Sequence, residues 1–205
     1  MDCNCPQQGA LTEIPGLDCG INLNQIQRLA FQRGGVNFDS SLATPLDILE
    51  LSTWQGLMTA TDDTKIVVTP LIGGDPIIES GDAITNGGGD NSTLNGVEEV
   101  VGVNPSLFTC VFNELTTAIE KALKDLMCEK SLVVYFLLQG GKIACVEITP
   151  DQAYTGFLTQ SLFVSDKNNA GFGSTDTNSF RFSLPSGWSE DLVILSPNFN
   201  PLTEL

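Results

Sequence analysis

The chain has 205 residues, 41% of them hydrophobic, enough to fill the core of one domain, and 25 acidic against 9 basic side chains give it a net charge of −16. It contains no histidine, the usual general base, nucleophile activator and neutral metal ligand near pH 7, so most common catalytic designs are excluded at the outset. From Gly34 to Glu120 the only basic residue is Lys65 against 13 Asp and Glu, which excludes phosphate binding by counterion release and would repel nucleic acid.

The opening Met1-Asp2-Cys3-Asn4-Cys5-Pro6 lacks the basic region and apolar stretch of a signal peptide, and no apolar run reaches membrane-spanning length. The expectation is synthesis in a reducing cytoplasm, with no membrane contact and with thiols rather than disulfides. Cys3, Cys5 and Cys19 invite a zinc reading, but zinc sites use longer spacers and four ligands, and no His completes this set. No metal or other cofactor is expected. Cys110, Cys128 and Cys145 sit in apolar runs and read as core residues.

Residues 1–22, rich in Gly, Pro, Asn and Gln, read as an extended N-terminal arm, and 23–205 as the domain proper. The patch from Ile21 to Phe31 fits either a half-buried strand or, through Ile26, Leu29 and Ala30, one face of a helix. Thr44-Pro45 ahead of Leu46–Glu50, and Ser52 ahead of Thr53–Met58, signal two short helices. Lys65–Ile72 is a β-branched run that predicts a strand, with Pro70 at an edge or bulge. Gly73 to Gly96 is so rich in turn formers that it predicts a long loop or a loosely held hairpin.

Val97–Val103 reads as a strand. From about Phe108 the residues Phe112, Leu115, Ile119, Ala122, Leu123 and Leu126 recur at helical spacing, which predicts one amphipathic helix with a core-facing stripe and a Glu120–Lys124 pair outside. Ser131–Leu138, a Gly140-Gly141 turn and Ile143–Ile148 form a hairpin whose first strand is apolar on both faces. Further strands fall at Gly156–Val164, Asn178–Leu184 and Asp191–Leu195, with a second glycine-rich loop at Asp166–Thr177. The fold class is α+β, mainly β: an antiparallel β-sandwich or barrel flanked by one amphipathic helix, with long loops.

No constellation for chemistry emerges, and the chain does not read as an enzyme. Glu98 and Glu99 are adjacent on a strand and point to opposite faces, so they form no dyad. Gly87-Gly88-Gly89-Asp90 lacks the Lys and the strand-to-helix context of a phosphate loop. A calcium site from Asp82, Asn86, Asp90 and Asn91 misses the EF-hand spacing.

The order of a strand, a long polar glycine-rich loop, a second strand, one helix and an apolar hairpin resembles tail-tube and related virion proteins of tailed bacteriophages. The stretches Ile26–Arg33, Asn86–Thr93, Leu162–Lys167 and Trp188–Asp191 are similar to structural proteins of phages infecting gut Bacteroidetes. The resemblance implies a virion subunit that forms hexameric rings stacked into a tail tube, with DNA passing through the lumen without specific binding and with other tail proteins as partners. It also implies assembly in the host cytoplasm. Within that picture Gly81, Asn86, Gly87, Gly88, Gly89, Asp90, Asn91 and Gly96 form the inter-ring assembly loop, and Asp82, Asp90, Glu98 and Glu99 are candidates for an acidic lumen. The alternatives are a neck or connector ring, a tail terminator or a head decoration protein. More distant is a carbohydrate-binding adhesion module that stacks sugars on Trp54, Tyr135, Tyr154 and Trp188.

Overall fold

The computed structural model describes residues 22–23, 25–89 and 91–205. In chain order the strands are β1 (Ile26–Arg33), β2 (Phe38–Asp39), β3 (Ile66–Val68), β4 (Gly73–Glu79), β5 (Ala83–Asn86), β6 (Glu99–Val103), β7 (Ser106–Asn113), β8 (Leu132–Leu138), β9 (Lys142–Thr149), β10 (Ala153–Thr155), β11 (Phe157–Val164), β12 (Thr177–Leu184) and β13 (Leu192–Leu195). Two α-helices, α1 (Leu51–Thr59) and α2 (Thr117–Asp125), accompany them.

Strand β8 organises the molecule, because all seven of its side chains are buried. Side chains alternate across a strand, so a run apolar at every position must be covered on both faces. Leu132, Val134, Phe136 and Leu138 join a core with Phe31, Phe108, Phe157 and Phe182. Val133, Tyr135 and Leu137 join a second core with Phe38, Trp54, Ile66 and Cys145. The sheet containing β1, β8 and β9 is thus a middle layer. A second sheet covers its first face; α1 and the segment holding Phe199, Leu202 and Leu205 cover the other.

Strand β11 joins the two sheets. Phe157–Thr159 pair with β8, while from Gln160 onward the strand pairs with β12, across a register shift between Gln160 and Phe163. Ser161 sits in the shift with φ of 53°, the left-handed conformation that bends a strand round a corner. From there the order β11-β12-β7-β4 completes the second sheet. Every strand pairing is antiparallel, and the path runs from β2 to β4 without closing into a barrel. The fold is mainly β and sandwich-like.

Several expectations need correction. The helix begins at Thr117, capped by the Thr116 hydroxyl, and not near Phe108. Ser106–Asn113 is β7 instead, with Phe108, Cys110 and Phe112 buried at a period of two. The helical stripe divides accordingly: Leu115 and Leu123 enter the core, whereas Ile119 and Ala122 of α2 are exposed. Leu46–Glu50 forms no helix; α1 starts at Leu51. The Lys65–Ile72 run pairs only at Ile66–Val68, and Gly73–Glu79, expected as part of a long loop or a loosely held hairpin, is β4 and pairs with β7. Cys128 is exposed, while Cys110 and Cys145 are buried. The N-terminal arm and Cys3, Cys5 and Cys19 lie outside the described residues, apart from Asn22.

Candidate assembly surface

The glycine-rich segment folds into a projecting β-hairpin. At its root the Asn104 amide donates to the Asp82 carbonyl at 2.9 Å, and Ala83 to Asn86 then pair with Val103 to Glu99 across one bulge. Strands β5 and β6 bond to each other and, among the described residues, to no other strand, as a two-stranded sheet of their own. Their side chains are all exposed apart from Gly102, which has none. A two-stranded sheet with both faces in water has marginal stability by itself.

The tip is an ordered turn system. Gly87, Gly88 and Gly89 all take positive φ, and the amides of Gly88 and Gly89 both donate to the Gly96 carbonyl, at 3.3 and 3.1 Å. The Asn86 side-chain oxygen accepts from the Gly87 amide at 3.0 Å, and the Thr93 hydroxyl donates to the Val97 carbonyl. A side chain at Gly87 would collide with Thr93 and Val97, which explains the glycine there.

The expected assembly residues therefore fall into two groups. Gly81 and Asp82 stand at the root; Asn86, Gly87, Gly88, Gly89, Asn91 and Gly96 stand at the tip. Three residues of β5 lie between Asp82 and Asn86, a span of about 13 Å along the strand, so the two do not converge on a shared cation site. Asp90 lies outside the described residues. Glu99 pairs with Asn86 near the tip, and Glu98 precedes it; both are exposed, as is Asp82.

The apolar half of this hairpin escaped the sequence reasoning. Ile84, Leu94, Val97, Val100, Val101 and Val103 are all exposed, Leu94 at 81%. Val100 and Val103 share one face with Ala83 and Thr85, with Val101 in the bulge between them, while Ile84 packs beside Gly102 on the other, the face of Asn86 and Glu99. The alternation-free Val100-Val101 pair was the available signal, since a strand apolar at consecutive positions wants cover on both faces. The root is held by Trp188, whose indole N–H donates to the Ser106 hydroxyl at 3.2 Å and whose ring meets Phe157 edge-on at 5.4 Å.

The remaining polar groups are local in character. Among the described residues the ion pairs are Arg33–Glu129 at 2.6 Å and Lys124 with Glu120 and Asp166 at 2.7 and 2.5 Å. Hydrogen bonds from Ser41 and Thr64 hold the carboxyls of Asp39 and Asp62 below the usual range, as expected of turn-capping aspartates. Burial pushes the thiols of Cys110 and Cys145 up, away from the reactive thiolate. Trp54 and Tyr135 are fully buried, the indole N–H of Trp54 donating to the Ile48 carbonyl at 2.9 Å. Tyr154 and Trp188 pack against different cores, so the four rings form no common platform for a sugar.

No protein-family model matches the chain, and no curated protein matches it. A solved structure to which it is similar is a chain of the "Cryo-EM structure of the anti-feeding prophage (AFP) baseplate, 6-fold symmetrised". The two are 10% identical, with 88% of this chain and 99% of that chain covered and a TM-score of 0.34.

Proposed function

We propose that the protein is a structural subunit of a phage tail, of the tail-tube kind, and that it self-associates into stacked rings through the hairpin 81–104. The observation that carries this reading is a hairpin exposed on both faces with six exposed apolar side chains, Ile84 on β5 and five near the tip and along β6. Covering each such side chain gains on the order of 1 kcal/mol, so one hairpin contact supplies only several kcal/mol. Association costs about 4–15 kcal/mol in lost freedom. A single contact is thus weak, and a closed ring that repeats it many times is stable.

The charge distribution supports the finer reading. No Lys or Arg occurs between Lys65 and Lys121, and Asp82, Glu98 and Glu99 on the hairpin are exposed acids. A lumen lined by such a segment lets DNA slide past without binding it. The role is architectural, without catalysis, and the partners are further copies of the chain and neighbouring tail proteins.

Replacing residues 83–103 with a two-residue turn tests this. The shortened protein should keep its circular dichroism spectrum and lose rings or tubes in negative-stain images. Normal polymerisation of that variant would sink the reading.

A further inference from the structure

The stripe of α2 left out of the core forms one wall of a groove. Ile119 and Ala122 of that stripe, with the half-buried Leu126 just past the helix end, face Val67, Val68 and Pro70 of the β3 segment across a cavity of about 390 Å³. Arg28 is the one charged residue lining it. Its Nε donates to the Thr69 carbonyl at 2.8 Å, and Nη1 to the main-chain oxygens of Leu205 and Leu202 at 2.9 and 3.3 Å. Among the described residues no Asp or Glu side chain pairs with it, in a chain where acids outnumber bases 25 to 9. Strand β3 is also an edge, bonded among the described residues only to β1.

The hairpin 81–104 has the matching properties. It presents Val100, Val101 and Val103 as an exposed apolar strip and carries acids and no base. Groove and hairpin also stand at opposite ends of the β4–β7 ladder. The hairpin leaves that ladder beyond Glu79 and Ser106. The two walls of the groove join it at the other end, where β3 leads into Gly73 and Asn113 leads into α2. Eight residues of β7 separate the ends, about 24 Å of strand. Translation of one copy along the ladder would bring its hairpin toward the groove end of the next, a head-to-tail arrangement that can repeat.

We infer that the groove between β3 and α2 is the receptor for the hairpin of a second copy of this chain, with Val100, Val101 and Val103 against Val67, Ile119 and Ala122 and with Glu98 or Glu99 opposite Arg28. This rests on the hairpin-driven self-association proposed above and names the surface that receives it. The free edge of β3 offers main-chain hydrogen bonds to an incoming strand, and the apolar walls take its side chains.

The test uses the full-length chain with a benzophenone amino acid at Val100, irradiated under assembling conditions. Cross-links between copies should map to residues 65–71 or 117–126. In parallel Ala122→Asp, at an exposed helix position, should keep the circular dichroism spectrum and weaken self-association about tenfold or more, because docking would bury an unpaired carboxylate. Cross-links between copies at another surface, or Ala122→Asp assembling like the unaltered chain, would overturn the receptor and leave hairpin-driven association standing. A protein that stays monomeric and gives no cross-links between copies would overturn both.

Discussion

A Cβ on Gly81 would fall onto the carbonyl of Asn104, the residue opposite it where the hairpin leaves the sandwich. The two chains can approach this closely only because one of them has no side chain, and that approach sets the angle at which the hairpin projects. Gly81→Val should therefore force the strands apart at the root and tilt the hairpin. Neither core cluster includes Gly81, so the melting temperature should fall by no more than a few degrees. Self-association in sedimentation velocity should weaken about tenfold. A Gly81→Val protein that assembles normally would show that the projection angle is immaterial.

The second core makes a different prediction. Trp54 packs on Phe38 and Tyr135 with ring centroids 4.9 and 5.6 Å apart, and its N–H satisfies the Ile48 carbonyl. Trp54→Ala should cost about 3–5 kcal/mol through lost burial and the cavity left behind. Trp54→Phe keeps most of the apolar contact but strands the buried carbonyl, at a cost of about 1–3 kcal/mol. Urea unfolding of both variants gives these values, and a Phe variant as damaged as the Ala variant would refute the assignment to the hydrogen bond.

How much of this was legible in the sequence follows from the range of the interactions. The doubly buried β8 is written in an unbroken apolar run, and its hairpin with β9 in Gly140-Gly141, so both were read from local pattern. Strand β7 was not, because Phe112, Leu115 and Ile119 continue a helical spacing across the strand-to-helix junction and mask the period of two in Phe108, Cys110 and Phe112. Composition marked 81–96 as exceptional but showed only its polar half; the exposure of Val100, Val101 and Val103 is a tertiary fact, since among the described residues no further strand pairs with that hairpin. The groove depends on β3 and α2, some fifty residues apart, coming to lie side by side, and no local pattern encodes that.

Stability should be nearly flat from pH 5.5 to 8 and fall in acid. With no histidine, no side chain of the ordinary kind titrates in that window. Among the described residues four carboxyls have folded pKa values lowered: Asp39 by Ser41, Asp62 by Thr64, Asp166 by Lys124 and Glu129 by Arg33, in each case chiefly through a side-chain hydrogen bond. A lowered folded pKa contributes stability above the unfolded value of about 4, and that contribution disappears as pH falls through the folded value. The melting temperature should accordingly drop below about pH 4, with the part due to Arg33–Glu129 and Lys124–Asp166 reduced at high salt. A pronounced change between pH 6 and 7.5 would contradict this assignment.

Hydrogen exchange separates the hairpin from the scaffold that carries it. The amides of β8 are closed in by two cores and should exchange only on global unfolding. Those of β5 and β6 belong to a two-stranded ladder with water on both faces, which opens locally at little cost, so in dilute monomer they should exchange many orders of magnitude faster than β8. If a neighbouring copy covers Val100, Val101 and Val103, opening the ladder must also break that contact. The same amides should then slow by at least about tenfold in sedimented assemblies, while β8 stays unchanged. Hairpin amides that exchange equally fast in monomer and assembly would mean that the hairpin remains in water when copies associate, and that some other surface holds the rings together.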